Sequence, residues 1–146
     1  MRVCIASDHG GVRLKAQLVP LLQKREGLVL EDLGTQAEES VDYPDYAHRV
    51  AKAILAKEFD RGILVCGTGV GMAIAANRHD GIRCVNCSDT YTARLSRSHN
   101  DSNILSLGER VVGAGLAWDI VTAWLDEPVD ANERHARRRE KIELPR

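Results

Sequence analysis

Arg61-Gly62-Ile63-Leu64-Val65-Cys66-Gly67-Thr68-Gly69-Val70-Gly71-Met72 decides how the rest of the chain reads. Apolar residues run up to a cysteine, glycines alternate after it, and Ala73-Ile74-Ala75-Ala76 opens a helical stretch. This is the pattern of a strand, a tight turn and a helix. Glycines so closely spaced cost conformational entropy unless the backbone needs them, which favours a functional turn over an ordinary one. A turn feeding a helix presents unsatisfied N–H groups and partial positive charge, so it suits an anionic ligand. The same field favours the thiolate of a neighbouring cysteine.

Outward from this segment, apolar runs alternate with segments of helical period. Val3–Ala6, Leu28–Leu33, Ile63–Cys66, Ile82–Cys87 and Ile104–Leu107 read as five strands. Between them, Leu14, Leu18, Leu21 and Leu22 share a helical face, with Pro20 expected to kink or divide that helix. Ala47, Val50, Ala51, Ile54 and Leu55 repeat at helical spacing after Asp42-Tyr43-Pro44, a further helix follows Asp89, and Leu116, Ala117, Ile120, Val121, Trp124 and Leu125 form a last apolar face. The alternation predicts an α/β fold: a doubly wound, five-stranded, mainly parallel sheet, a Rossmann-like three-layer sandwich with a C-terminal helical tail. In such sheets ligands sit at the carboxyl ends of the strands near a topological switch. Asp8 and His9 after the first strand, Cys66 ending the third, and His99, Asn100 and Arg110 flanking the fifth are all expected there.

The 146 residues read as one domain, 1–146, with a basic tail over 130–146. A net charge of -1 and only 4% aromatic residues give no electrostatic pull toward nucleic acid and too few rings for a stacking platform. No apolar run approaches the ~20 residues of a membrane span. The chain begins directly on a strand pattern, without a signal-peptide layout, and its four cysteines read as reduced thiols of a cytoplasmic protein.

Spacing separates the possible uses of the Cys66 turn. A dinucleotide fingerprint needs a small residue where Met72 or Ile74 stands, although Asp89 lies at a ribose-binding distance. A P-loop needs the missing Gly-Lys-Ser/Thr, and a cysteine phosphatase loop needs an arginine where Met72 stands. Cys84-Val85-Asn86-Cys87 places its thiols on opposite faces of a strand, which suits core packing better than a metal. Asp8-His9 reads either as a helix cap or, with Gly10-Gly11 following, as a site of close backbone approach. Arg134, Arg138 and Lys141 share a helical face beside Arg137, a solvated face or a phosphate clamp.

Together these residues resemble the type B ribose-5-phosphate isomerases and the related galactose-6-phosphate isomerase subunits. The resemblance runs nearly end to end, through Ser7-Asp8-His9-Gly10-Gly11, Asp42-Tyr43-Pro44, Cys66-Gly67-Thr68-Gly69-Val70-Gly71, Ala75-Ala76-Asn77-Arg78, Gly81-Ile82-Arg83, the segment from Ser96 to Asn103, Gly108-Glu109-Arg110-Val111-Val112-Gly113 and Arg134-His135. It implies an aldose–ketose isomerase with no metal or other cofactor, dimeric or tetrameric, with sites shared across the dimer and the tail packed on the partner. It implies that Cys66 moves a proton between C1 and C2, and that Thr68 and the amides of Gly67, Gly69, Val70 and Gly71 hold the enediolate oxygens. His99, with Asp8 nearby, would open the sugar ring. His9, Arg134 and Arg138 would hold the phosphate, and Tyr43, Asn100 and Arg110 would contact sugar or phosphate.

Two departures bear on the substrate: Asn132-Glu133 replace glycines common in the family, and Val12-Arg13 stand where an aromatic and an acid are common. The leading expectation is interconversion of ribose 5-phosphate and ribulose 5-phosphate. The alternatives are another phosphorylated sugar, a hexose 6-phosphate or tetrose 4-phosphate, or a non-catalytic phosphosugar-binding subunit.

Overall fold

The computed structural model describes residues 1–145; the last residue of the basic tail, Arg146, lies outside them. Five strands, β1 (Arg2–Ser7), β2 (Val29–Asp32), β3 (Arg61–Cys66), β4 (Cys84–Asn86) and β5 (Ile104–Gly108), form one sheet in the order β2-β1-β3-β5-β4. Every pairing is parallel. Strand alternation then sorts the core into two layers. Val3, Ile5, Ile63, Val65, Leu105 and Leu107 face α1 (Val12–Gln23), α4 (Thr90–Ser98) and α5 (Ala114–Asp126). Cys4, Ala6, Leu64 and Cys66 face α2 (Tyr43–Leu55) and α3 (Val70–Ala76). The short α6 (Glu133–Glu140) ends the chain.

The expected α/β class and strand count hold, and the sheet is wholly parallel. Two strands are shorter than the apolar runs suggest. Ile82 and Cys87 are buried but lie outside β4, because Asn77 pins the start of the strand through both its amide atoms, to Cys84 N–H (2.7 Å) and Cys84 C=O (2.8 Å). Cys84 joins the α2/α3 layer and Cys87 the opposite one, as the strand period requires.

Pro20 does not divide α1. The carbonyl it leaves unpaired belongs to Ala16, and both residues are exposed, so water can take the place of the missing N–H. Leu21 turns outward, and Lys15 occupies the buried face instead. Its ammonium donates to Asp32 Oδ1 (2.7 Å) and Thr35 C=O (2.5 Å), tying α1 to the end of β2.

The order reverses between β1 and β3, so the topological switch lies at their carboxyl ends. Asp8 follows one and Cys66 ends the other.

Candidate active site

The turn after β3 is built by mutual support. Gly69 adopts φ +80°, where a side chain would be strained and would strike Asn86 and Leu107. That conformation aims the Gly69 N–H at Cys66 Sγ, 3.1 Å away. Ser106, buried in the middle of β5, donates to Gly69 C=O (2.6 Å), and Asn86 Nδ2 donates to Thr68 C=O (3.0 Å). The Val70 N–H donates to Thr68 Oγ1 (3.3 Å), which leaves the hydroxyl proton free to point elsewhere. Among the described residues the N–H groups of Gly67, Thr68 and Gly71 have no partner. The amides of Gly69 and Val70, expected to face a ligand, are thus occupied inside the turn, while the other three are open.

The remaining groups at this edge close around the turn. A Cβ on Gly10 would lie 3.3 Å from both Asp8 Oδ1 and Gly67 N, so the Asp8 loop rests on the turn. Asp8 is nearly buried, and its Oδ1 accepts from the Gly10 N–H (2.8 Å). It does not cap α1. That task falls to Glu109, whose Oε1 accepts from the Leu14 N–H (2.7 Å) from across the site. Arg110 lies with its guanidinium over Gly67, 3.3 Å from where a Cβ would stand, and the Tyr43 ring lies over Gly71, so close at 2.7 Å that a side chain there would displace it. His9 Nδ1 accepts from the Val41 N–H (3.1 Å), so the neutral ring carries its proton on Nε2, outward.

The four thiols are unlike one another. Burial pushes Cys4 up to about 12 and Cys87 up to about 11, and raises Cys84 further still. Cys4 only donates, to Arg61 C=O at 3.8 Å. Cys66 instead accepts a backbone N–H on its sulfur, from Gly69.

His99 and Asn100 are not at this edge. Helices α4 and α5 run back from the carboxyl ends of the strands to their amino ends, and His99 caps α4 there. Asn103 C=O, four residues on, accepts from Gly62 N–H at the start of β3. Roughly 13 Å of strand separates Gly62 from Cys66. The expectation that all the reactive residues gather at the carboxyl ends is corrected here: a segment that precedes a strand is delivered to the other end. The tail follows His99. Asp130 N–H donates to Ser98 C=O (2.8 Å), Arg139 Nη1 donates to His99 C=O (3.2 Å), and buried His135 stacks on the His99 ring at 4.1 Å. Arg134 and Arg138 are exposed on α6 and make no ion pair among the described residues. Asn132, one of the departures noted above, caps α6 by accepting from Arg134 N–H (3.0 Å).

Within one chain the candidate residues therefore fall into two groups: Asp8, His9, Tyr43, the Cys66 turn and Arg110 at one end of the sheet, and His99, Asn100, Arg134 and Arg138 at the other. A cleft of about 760 Å3 opens at the second end, with Asn100, Arg83 and residues 142–145 on its walls. It contains none of the Cys66 turn.

The sequence matches the Ribose/Galactose Isomerase family over residues 3–142. The chain belongs to that family. It is 49% identical over 141 residues to ribose-5-phosphate isomerase B of Escherichia coli, covering 97% of this chain and 93% of the relative. It is 41% identical over 127 residues to the D-erythrulose-4-phosphate isomerase of Pectobacterium atrosepticum, covering 86% and 83%. Among solved structures, ribose-5-phosphate isomerase B of Clostridium thermocellum superposes with a TM-score of 0.94 at 53% identity, over 97% of this chain and 95% of that one. The Thermotoga maritima ribose 5-phosphate isomerase superposes at 0.92 and 52% identity, over 97% and 96%. The expected family and its fold are thus shown. No helix among the described residues is long and apolar enough to cross a membrane.

Residues not foreseen from the sequence are those that hold this family's turn and tail in place: Asn86, Ser106, Glu109, Asp130 and His135. Ser106 carries a visible signal, a lone hydroxyl within an apolar strand; the others become meaningful only through contacts distant in sequence.

Proposed function

We propose that the protein interconverts ribose 5-phosphate and ribulose 5-phosphate through an enediolate, without a metal, in the cytoplasm. The observation that carries this reading is the Cys66 sulfur seated against the Gly69 N–H at the head of a turn with three open amides. A sulfur that accepts an N–H is stabilised when it carries negative charge, the state a base requires. Cys66 takes the proton from C2 of the open-chain aldose and returns it to C1, while the O2 hydroxyl proton passes to O1, so that the aldehyde becomes a hydroxyl and C2 a ketone. As the proton leaves, the carbonyl oxygen gains negative charge. The Gly67, Thr68 and Gly71 amides and the Thr68 hydroxyl are placed to hold it, with each such donor worth roughly 3–4 kcal/mol in known oxyanion sites. The phosphate, remote from the reacting carbons, is held by His9 Nε2–H, Arg134 and Arg138, and its binding orients the sugar. Tyr43, Arg110 and Asn100 line the sugar between these ends.

Pentose phosphates are mostly rings, so opening comes first. His99 protonates the ring oxygen as the ring C1–O bond breaks, and Asp8 takes the proton of the anomeric hydroxyl as C1=O forms. His99 and the tail arginines cannot reach Cys66 within one chain, so each site joins the Cys66 half of one subunit to the His99 half of another. Exposed Val70 and Ile74 on α3, beside the turn, offer apolar surface for that contact. A homodimer is the smallest assembly with complete sites, and a tetramer would pair two of them.

The test is turnover of ribose 5-phosphate to ketose in the presence of a chelator, with Cys66→Ala alongside. Full activity in that variant would remove Cys66 as the base. A second reading keeps the mechanism and changes the sugar. It is favoured by the 41% identity to the D-erythrulose-4-phosphate isomerase and by the tail departure at Asn132-Glu133. Ranking kcat/KM over tetrose, pentose and hexose phosphates decides between them. Tight phosphosugar binding with no C2 proton exchange would instead mark a binding subunit.

A further inference from the structure

We infer that His135, anchored by Asp130, is a positioning residue that fixes the His99 imidazole for proton transfer to the sugar ring; this rests on the role given to His99 above. The His99 ring makes no hydrogen bond among the described residues, so both its nitrogens are free for substrate. A ring without such bonds is oriented by packing alone. The packing comes from His135, 5% exposed, whose ring lies 4.1 Å from that of His99 between centroids and is tilted by 34°.

His135 is itself fixed. Its Nδ1 is bonded to Asp130 Oδ2 (2.8 Å), and Asp130 Oδ1 accepts from Asn132 N–H (2.7 Å). Asp130 is tied by its own N–H to Ser98 C=O, one residue before His99. Arg139 Nη1 and Nη2 donate to the carbonyls of His99 (3.2 Å) and Asp130 (3.3 Å), closing the frame. Carboxylate, buried imidazole and free imidazole thus form a chain on the turn that carries His99, with only the last ring open to a ligand.

The charges agree with this arrangement. The Asn132 N–H and the hydrogen bond from His135 hold the Asp130 carboxyl below its usual range, and the charges of His135 and His99 add to the effect. The charged groups set against His99 are Asp130, acting through His135, on one side and the Arg139 guanidinium at its carbonyl.

Asp130→Asn keeps an acceptor for the Asn132 N–H while removing the charge and setting an amide donor against His135 Nδ1. The expected result is a fall in kcat of about tenfold with KM within twofold of wild type, and broadening of the His99 ring signals in NMR spectra as the ring loses its single orientation. A purely structural Asp130 would lower Tm and leave those ring signals sharp. Should Asp130→Asn melt early, His135→Phe keeps the ring contact and breaks the link to Asp130, and is expected to lower kcat with little change in KM. Unaltered His99 ring signals and a kcat within twofold of wild type, with His99→Ala inactive, would overturn the positioning role alone. Full activity in His99→Ala would overturn that role together with the assignment of His99.

Discussion

Cys66 and His99 stand at opposite ends of the sheet: one closes β3 at its carboxyl end, and the other closes α4 beside the amino end of β5. Chain connectivity enforces this, because a right-handed parallel sheet returns each helix to the starting edge before the next strand begins. Chemistry that needs both residues therefore needs two copies.

Mixing supplies the test. Cys66→Ala and His99→Ala, each nearly inactive alone, should complement when unfolded together and refolded. Random pairing gives half heterodimers, each with one intact site, so about a quarter of wild-type activity should return. No recovery in a mixture that demonstrably exchanges subunits would place the whole site within one chain.

Alkylation should distinguish the thiols. Burial holds Cys4 and Cys87 neutral, near 12 and 11, and raises Cys84 as well. Iodoacetamide at pH 8 should modify Cys66 first, with loss of activity in parallel, and a phosphorylated sugar should slow both. Peptide mass mapping reads the order. Modification of Cys84 or Cys87 ahead of Cys66 would count against the proposed base.

Gly69→Ala should separate folding from chemistry at the turn. Its φ of +80° and the 2.6 Å approach of a new Cβ to Asn86 Nδ2 act together. The left-handed conformation alone costs roughly 1–2 kcal/mol for a residue with a side chain. A stability loss of about 2 kcal/mol in denaturant titration is expected, with a larger loss of kcat as the Gly69 N–H shifts from Cys66. Unaltered kcat would mean that this N–H has no part in catalysis.

Lys15→Met should expose the cost of the buried ion pair. Burial raises the Asp32 carboxyl, but hydrogen bonds from Lys15, Gln36 and Gly34 outweigh it and leave the group below its usual range. A carboxyl lowered on folding stabilises above its unfolded value, near 4, and that stability is lost as pH falls through the folded value. The variant should be about 3 kcal/mol less stable at pH 7, and the gap should narrow below about pH 4, measured by urea unfolding across pH. A constant gap would assign Lys15 a packing role only.

The sequence by itself determined the alternation of strands and helices, the glycine turn after Cys66, the buried placement of Cys84 and Cys87 on opposite faces and the family to which the chain belongs. These properties follow from short-range periodicity and local backbone demands, which are written in neighbouring residues. Only the tertiary structure decided which end of the sheet receives His99, that Glu109 and not Asp8 caps α1, that Gly69 and Val70 spend their N–H groups inside the turn, and that Asp130 and His135 brace His99. The placement of His99, the cap from Glu109 and the packing on His99 depend on contacts between segments up to about a hundred residues apart, set by strand order and helix direction, and the turn takes its shape with support from Ser106 and Asn86 on other strands.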